Sequence, residues 1–584
     1  MRIPHPRSIS FAPFRSEIRE YSFSFLRHDI WAAIAVALMT IPQSLAYSLL
    51  AGLPSTAGLY SAIFGTIFAA AFGSSRTLVS GPSTGIAILI QTSISDVLHT
   101  YFENVVGAQQ EALVLAILMQ IVLVIGILQI GAAFFNVAKL LQFVSRPVIL
   151  GYFGGIMVAI VVTQLFFFTG VPSPHNDETI FYKAGSFLSH LPSLNWVTLL
   201  VGLFSLSLYA LIRHYLNNWP YALIMLVLAG FLTYGLNLWL GMSTVQTFGN
   251  LPQPAEPFPV FFLPLLDLKV LNKVFPAAVA IAFLGILEVF SISRSFAART
   301  KQKVEVNQDV FGLGVANMIL AGVMGAMPCS GSATRTALNF RLQAKTRFAA
   351  IFGSLITAVV IFFCWPLVGH IPLAALAALL MGTVPTLMNW HEIRLTFFAT
   401  REDAWVFIFT FLSCLFFSLD VAFFIGIVLS IATYLKKSSV PHLVEYAFNS
   451  KGRLMVASPK EDVHRKVRII GIGGDLYFAA ADVVQSSLLS VAEDPNVQAI
   501  VLRLNNVYHT DVSMCLAILH LYETLHASHR HLVISGLTEG VWHVFHRTGI
   551  VKQIGLDNLF FTDESNPQYS TWKAVLRAQE LVHK

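Results

Sequence analysis

Residues 328–340 read PCSGSATRTALNF, and residues 80–90 read SGPSTGIAILI. In each, Ser-Gly leads into a few small or hydroxylated residues and then an apolar stretch too short to cross a bilayer alone. Short, glycine-interrupted segments in corresponding places of two halves point to a transporter built from inverted repeats. Small residues also let membrane helices pack closely, and the pattern alone leaves that reading open.

The surrounding composition says what solvent these segments meet. Of 584 residues, 55% are hydrophobic and only 12% charged, about half the charged fraction of ordinary soluble domains. Most of the chain therefore uses lipid as its solvent. Ala112–Phe135 carries no charge, and Val148–Phe168, Trp196–Ile212, Tyr221–Met242, Phe275–Phe290 and Phe348–Val368 are further apolar runs. About fourteen membrane segments are expected, some of them broken or shielded by protein.

Loop charge sets the expected orientation. Arg2, Arg7, Arg15, Arg19 and Arg27 precede the first span. Further basic clusters are Arg294, Arg299, Lys301 and Lys303; Arg341, Lys345 and Arg347; and Lys436 with Lys437. The stretch Ser95–Glu111 has Asp96, Glu103 and Glu111 without a Lys or Arg. The positive-inside rule then puts the N-terminus in the cytoplasm, and fourteen crossings put every basic cluster on that side. The first 28 residues are basic and aromatic, unlike a secretory signal. Cys329, Cys364, Cys414 and Cys515 are scattered, so neither a disulfide framework nor a metal cluster is expected.

After Lys437 charges return and apolar runs shorten. Val467–Gly471, Ala499–Leu504, Leu532–Leu537 and Leu559–Thr562 read as strands alternating with amphipathic helices, which predicts a small α/β domain. The expected division is a cytoplasmic N-terminal segment (1–28), a membrane domain (29–437), a linker (438–460) and the α/β domain (461–584). Gly471–Gly474 lacks the lysine and spacing of a phosphate loop and reads as a turn.

A helix starting inside the bilayer leaves its first amides unpaired, and that end carries about half a positive charge. Two such ends facing each other make an anion cradle. Its donors are expected from Ser83, Thr84 and Gly85 in the first segment and Ser332, Ala333 and Thr334 in the second. Arg335 adds a full charge, unless it snorkels to the surface or pairs structurally with a carboxylate. In the first span, Pro42 is expected to break the hydrogen-bond ladder. Gln43 and Tyr47, one turn apart, would then face the resulting cavity or satisfy freed backbone. Glu288, after an apolar run, is a candidate ion-coupling carboxylate; pairing with Arg335 or Arg294 is the competing reading.

The stretch IPQSLAYSLLAGLPSTAGLYSAIFGTIFAAAFGSSR (residues 41–76) resembles the first-span signature of the SulP family of anion transporters. EVFSISRSFAART (288–300) and PCSGSATRTALNF resemble its eighth span and tenth-span half-helix, and the C-terminal part resembles a STAS domain. The resemblance implies a polytopic α-helical membrane protein of seven-plus-seven inverted repeats with core and gate domains, moved like an elevator, and a cytoplasmic STAS domain. It carries site positions onto Gln43, Tyr47, Ser83, Thr84, Thr334 and Arg335, and ion coupling onto Glu288. The STAS turn reads DVSM, where Asp511 looks like a helix N-cap and Ser513 sits at the position that is phosphorylated in soluble relatives; the expected glycine is replaced by Met514.

The expected function is secondary active anion transport, as proton-coupled uptake of sulfate or a related oxyanion or dicarboxylate. Anion exchange, sodium-coupled bicarbonate transport, and an anion channel or STAS-signalling sensor are the alternatives. No nucleophile–base pair, metal cluster or nucleotide motif points to an enzyme, a cofactor or a nucleic-acid partner. A homodimer in the plasma membrane, or in the inner membrane of a bacterium, is expected from the resemblance.

Overall fold

The computed structural model describes residues 9–102, 108–137, 144–172, 179–216, 220–240, 245–251, 258–262, 266–300, 302, 304–438, 441–449, 453–457, 466–474, 478–563, 566 and 568–583. Arg2, Arg7, Glu103, Lys301 and Lys303 lie outside the described residues.

These residues hold fourteen membrane segments. The first seven are α1 (Phe23–Leu50), α2 (Ser55–Phe72, with a π turn at Ser61–Gly65), α3 (Thr84–Tyr101), α4 (Ala108–Phe134), α5 (Arg146–Thr169), α6 (Trp196–Tyr215) and α7 (Tyr221–Leu240). The second seven are α8 (Leu268–Thr300), α9 (Val306–Ala321), α10 (Ala333–Arg341), α11 (Phe348–Val368), α12 (Leu373–Leu387), α13 (Arg401–Phe416) and α14 (Leu419–Ser438). Nine are long and apolar enough to cross a bilayer alone. A tenth, α12, does so together with Trp390–Ala399 beyond a 43° bend. The other four, α3, α9, α10 and α13, are shorter or more polar.

The halves repeat in order. Each has two spans, then a two-residue strand, then a helix that starts between other segments: β1 (Ser80–Gly81) precedes α3, and β2 (Ser330–Gly331) precedes α10. The two strands pair antiparallel, the sense expected of inverted repeats. Packing sorts the helices into two groups. In the core, α1 packs on α11, α4 on α8 and α9, α2 on α9, and α3 on α8; in the gate, α5 packs on α12 and α13, and α6 on α7 and α12. The groups meet where α1 touches α7 and α12, and where α3 touches α5. Exposed Trp196, Phe231 and Trp239 on α6 and α7, and Phe363 on α11, are the apolar surface that lipid covers.

Two local expectations change, and one element is added ahead of the first span. Pro42 does not break the first span: α1 runs through it for 28 residues, because one missing amide is tolerated inside a packed bundle. The segment after β1 is longer than its apolar stretch, since the polar continuation QTSISDVLHTY stays helical to Tyr101. Ahead of α1, the short helix Arg15–Glu20 is docked by a buried ion cluster. Glu17 accepts from Arg347 (2.9 and 3.1 Å) and from Arg76 (3.2 Å).

A second compact unit begins at Ile431. Its sheet has the order β4-β3-β5-β6-β7-β8, with β3 (His442–Phe448), β4 (Leu454–Val456), β5 (Val467–Gly473), β6 (Ala499–Asn506), β7 (His531–Leu537) and β8 (Leu559–Phe561). β5 to β8 are parallel and β3 and β4 antiparallel. One face buries Ile470, Ile472, Ile500 and Leu502 under α15 (Phe478–Ala492), α16 (Val512–Ala527), α17 (Glu539–Thr548) and α18 (Ile550–Ile554). The other buries Ile469, Val501 and Val533 under α19 (Tyr569–His583), the alternation that a two-residue strand period requires. β3 and β4 correct the expected linker 438–460. HLVEYAF, with Val444, Tyr446 and Phe448, has a strand-favouring composition, and its pairing with β5 shows it to be a strand. Gly471–Gly473 likewise belong to β5, with the chain turning at Gly474 (φ +105°).

Candidate functional site

The two short strands set the site. Ser80 opposes Gly331 and Gly81 opposes Ser330, and the Ser332 amide donates to the Val79 carbonyl (2.9 Å). Side chains satisfy the flanking backbone: Thr66 donates to the Ser80 carbonyl (2.5 Å), Asn339 to the Thr77 carbonyl (3.0 Å), and the Val79 amide to the Thr336 hydroxyl (3.0 Å). Thr336 is thereby a structural partner of the strand.

Each strand turns directly into a helix. Ser83 is the extended N-cap residue of α3 and Ser332 that of α10, and neither side chain caps its own helix. Among the described residues, the first-turn amides of both helices have no side-chain cap. Both starts line one cavity of about 290 Å³, through Ser83, Thr84 and Gly85 on one side and Ser332, Ala333 and Thr334 on the other. Gln43 and Tyr47 of α1 and Leu287, Glu288, Ser291 and Ile292 of α8 also line it, with Pro82 and Gly331 beside the strands. Gln43 is buried, and its Oε1 has no hydrogen-bond partner among the described residues. A volume equal to about ten waters admits a small ion with part of its hydration.

Arg335 is placed differently from the expectation of direct contact. It is fully buried but absent from the cavity wall. Its Nη2 donates to the Pro82 carbonyl (2.7 Å), just ahead of the α3 start, while Nε and Nη1 have no hydrogen-bond partner among the described residues. The cation thus stands behind the strand crossing, where α10 reaches across to α3. Glu288 is held by the Ser330 hydroxyl. Among the described residues neither Arg335 nor Arg294 forms an ion pair with it; Arg294 lies over the Phe290 ring.

Several lining groups escaped the sequence reading. Ile149, Phe153 and Ile156 of α5 and Thr383 and Thr386 of α12 form the gate-side wall. The apolar three look like any lipid-span residues. The threonines stand in MGTVPTL, whose glycine, proline and hydroxyls carry the kind of signal that singled out the two strands. A larger cavity, about 740 Å³, is lined by parts of α1 to α4 and the connections beside them; among the described residues its lining includes Glu111 and no Lys or Arg. In the α/β unit, Asp511 caps α16, accepting from the Met514 amide (3.0 Å) and also from the Phe478 amide (2.6 Å). Ser513 is the second residue of that helix.

Two opposed helix starts between a core and a gate, in an inverted repeat with an appended α/β domain, define a membrane transporter of the broken-helix type. The model of the sulfate permease family matches residues 26–410 and that of the STAS domain residues 450–565; the chain belongs to the sulfate permease family and carries a STAS domain. Sulfate transporter 4.1, chloroplastic, of Arabidopsis thaliana is 26% identical, over 93% of this chain and 80% of that one. High affinity sulfate transporter 2 of Stylosanthes hamata is 24% identical, over 93% and 84%. The murine Slc26a9 anion transporter in its inward-facing state superposes with a TM-score of 0.86 at 19% identity, covering 99% of this chain and 97% of that one. The transmembrane domain of the cyanobacterial bicarbonate transporter BicA gives 0.59 at 20% identity, over 70% and 98%. These two structural likenesses are of fold.

Proposed function

We propose that the chain is a secondary active anion transporter that takes up sulfate or a related oxyanion or dicarboxylate together with protons. The observation that carries the reading is the shared cavity of the two helix starts. Uncapped amides at Thr84 and Ala333 meet there with the hydroxyls of Ser83, Ser332 and Thr334. Gln43 and Tyr47 supply further polar contacts, and Arg335 adds its field from behind. Matches to sulfate transporters over more than nine-tenths of the chain favour the same class of solute.

Glu288 gives the proposal its coupling step. Bringing a divalent anion into a negative interior costs about 2.3 kcal/mol per charge per 100 mV. A proton carried on Glu288 offsets one charge. Transport then proceeds by movement of the core group past the gate group, with the N-terminus and STAS domain in the cytoplasm and two chains forming a homodimer.

Uptake of labelled sulfate by proteoliposomes, under imposed proton or sodium gradients or with internal chloride, tests this. A proton gradient should drive accumulation and the other two should not. Glu288→Gln should retain anion binding and lose the response to the gradient; a mutant that still follows the gradient removes Glu288 from the coupling step.

A further inference from the structure

Ser330 stands between the strand crossing and the coupling carboxylate, and its surroundings fix it there. It is fully buried. On one side the preceding residue is clamped: the Cys329 amide donates to Asn317 Oδ1 (2.8 Å), and Asn317 Nδ2 donates to the Cys329 carbonyl (3.1 Å) and to Gln129 Oε1 (2.7 Å). Asn317 and Gln129 are themselves fully buried. On the other side, Gly331 lies against Val289 and Ile292 of α8. Elements from both repeats therefore aim one hydroxyl at Glu288, and the Ser330 hydroxyl donates to Oε2 of that carboxylate.

A hydroxyl differs from an amide in being both donor and acceptor. An N–H in this place would satisfy the ionised carboxylate and oppose the protonated one. The Ser330 hydroxyl has a second acceptor, the Gly331 carbonyl, at 3.5 Å. When Glu288 takes a proton from the medium onto Oε2, that O–H can donate to Ser330 Oγ, while the serine proton swings to the Gly331 carbonyl. Neither state then leaves a buried polar group unsatisfied.

We infer that Ser330 is a positioning residue for Glu288, a two-way hydrogen-bond partner that sets the pH at which the carrier is loaded with its proton. This rests on the proposed coupling by Glu288. The ionisable groups facing that carboxylate are Tyr47 of α1, Tyr152 of α5 and Arg335 of α10. On α9, Asp309 is occupied by Ser74, Ser75 and Ser293. Asp96 of α3 is paired with Lys273 of α8 at 2.9 Å, twelve residues beyond the α3 start, and His99 and Tyr101 are further on. Glu111 is in the first turn of α4, at the other end of that helix from Gln129. On α8 itself Arg294 is stacked on Phe290 and Arg299 on Phe296.

The test is the pH profile of sulfate uptake by the full chain in proteoliposomes. The bond to the ionised carboxylate is charge-assisted and about twice as strong as the bond to the protonated one, so Ser330→Ala should raise the pH of half-maximal uptake by about one unit. Ser330→Thr, which keeps the hydroxyl, should restore the parent profile, and Ser330→Cys, a weaker donor, should fall between. A Ser330→Ala profile that superposes on the parent overturns the inference, as does a Ser330→Thr profile shifted as far as that of Ala. If Ser330→Ala does not fold, as read by its melting temperature in detergent, the Cys variant decides, and an unshifted profile overturns the idea. Glu288→Gln separates the two levels. A flat profile in that variant beside an unshifted Ser330→Ala sinks only the serine; a pH response that survives Glu288→Gln sinks the coupling reading and the inference with it.

Discussion

At Gly81 the backbone has φ +147°, and a Cβ there would lie 2.7 Å from Nη1 and 3.0 Å from Nη2 of Arg335. The guanidinium lies close against that glycine while bonding Pro82. A side chain at this position meets both the backbone preference, worth about 1–3 kcal/mol of strain, and the arginine. Gly81→Ala should therefore displace Arg335 from the α3 start and weaken sulfate binding about tenfold, read by equilibrium titration in detergent. Affinity within twofold of the parent would show that the cation's position does not matter to the anion. The residue types of this site were legible in sequence: hydroxyls and glycine beside an arginine at membrane depth suit a bound anion. Which side of the strands the arginine occupies was not, because that depends on a carbonyl 253 positions away.

Among elements, the helix Arg15–Glu20 shows how much a six-residue piece can depend on distant partners. It is too short to be stable alone. Glu17 and Arg347 are both nearly inaccessible, with side-chain exposures of 6% and 4%. Arg347 also donates to the Gly73 carbonyl (2.6 Å), and so joins the ends of α2 and α11 to the N-terminal segment. Removing one partner of such a buried pair typically costs about 3–5 kcal/mol. Glu17→Ala should lower the melting temperature and open residues 9–20 to trypsin; a protein unchanged in both measurements would mean the cluster does not hold the segment. The same dependence accounts for β3 and β4. HLVEYAF and LMV suit strands by composition, but pairing with β5 is what makes β3 part of the sheet.

For the whole molecule, the proposed transport step moves the core group past the gate group. Two of the connections between them, α7 to α8 and α11 to α12, are stitched together. Phe248 donates to the Ile371 carbonyl (2.9 Å), Gly249 to the Gly369 carbonyl (2.9 Å), and Leu373 to the Gln246 carbonyl (3.0 Å). A Cβ on Gly249 would meet the Gly369 carbonyl oxygen at 3.0 Å. These connections lie away from the cavity, so a change there should act on movement and spare binding. Gly249→Val is expected to slow the maximal uptake rate about tenfold with sulfate affinity unaltered. A rate equal to the parent's would argue that the stitched pair does not act as a hinge.

Composition and local pattern by themselves determined that the chain lives in lipid and that an α/β domain follows, and they singled out two segments whose helix starts would leave amides free. Those properties are carried by neighbouring residues, and solvent preference and helix starts are local physics. Only the tertiary structure decided that both helix starts open on one cavity, that Arg335 stands behind it, that Ser330 holds Glu288, and that a proline-containing first span stays intact. Each of these joins groups brought together by packing rather than by chain order. The energy of such a contact depends on what the fold has already excluded from it, namely water and every other partner.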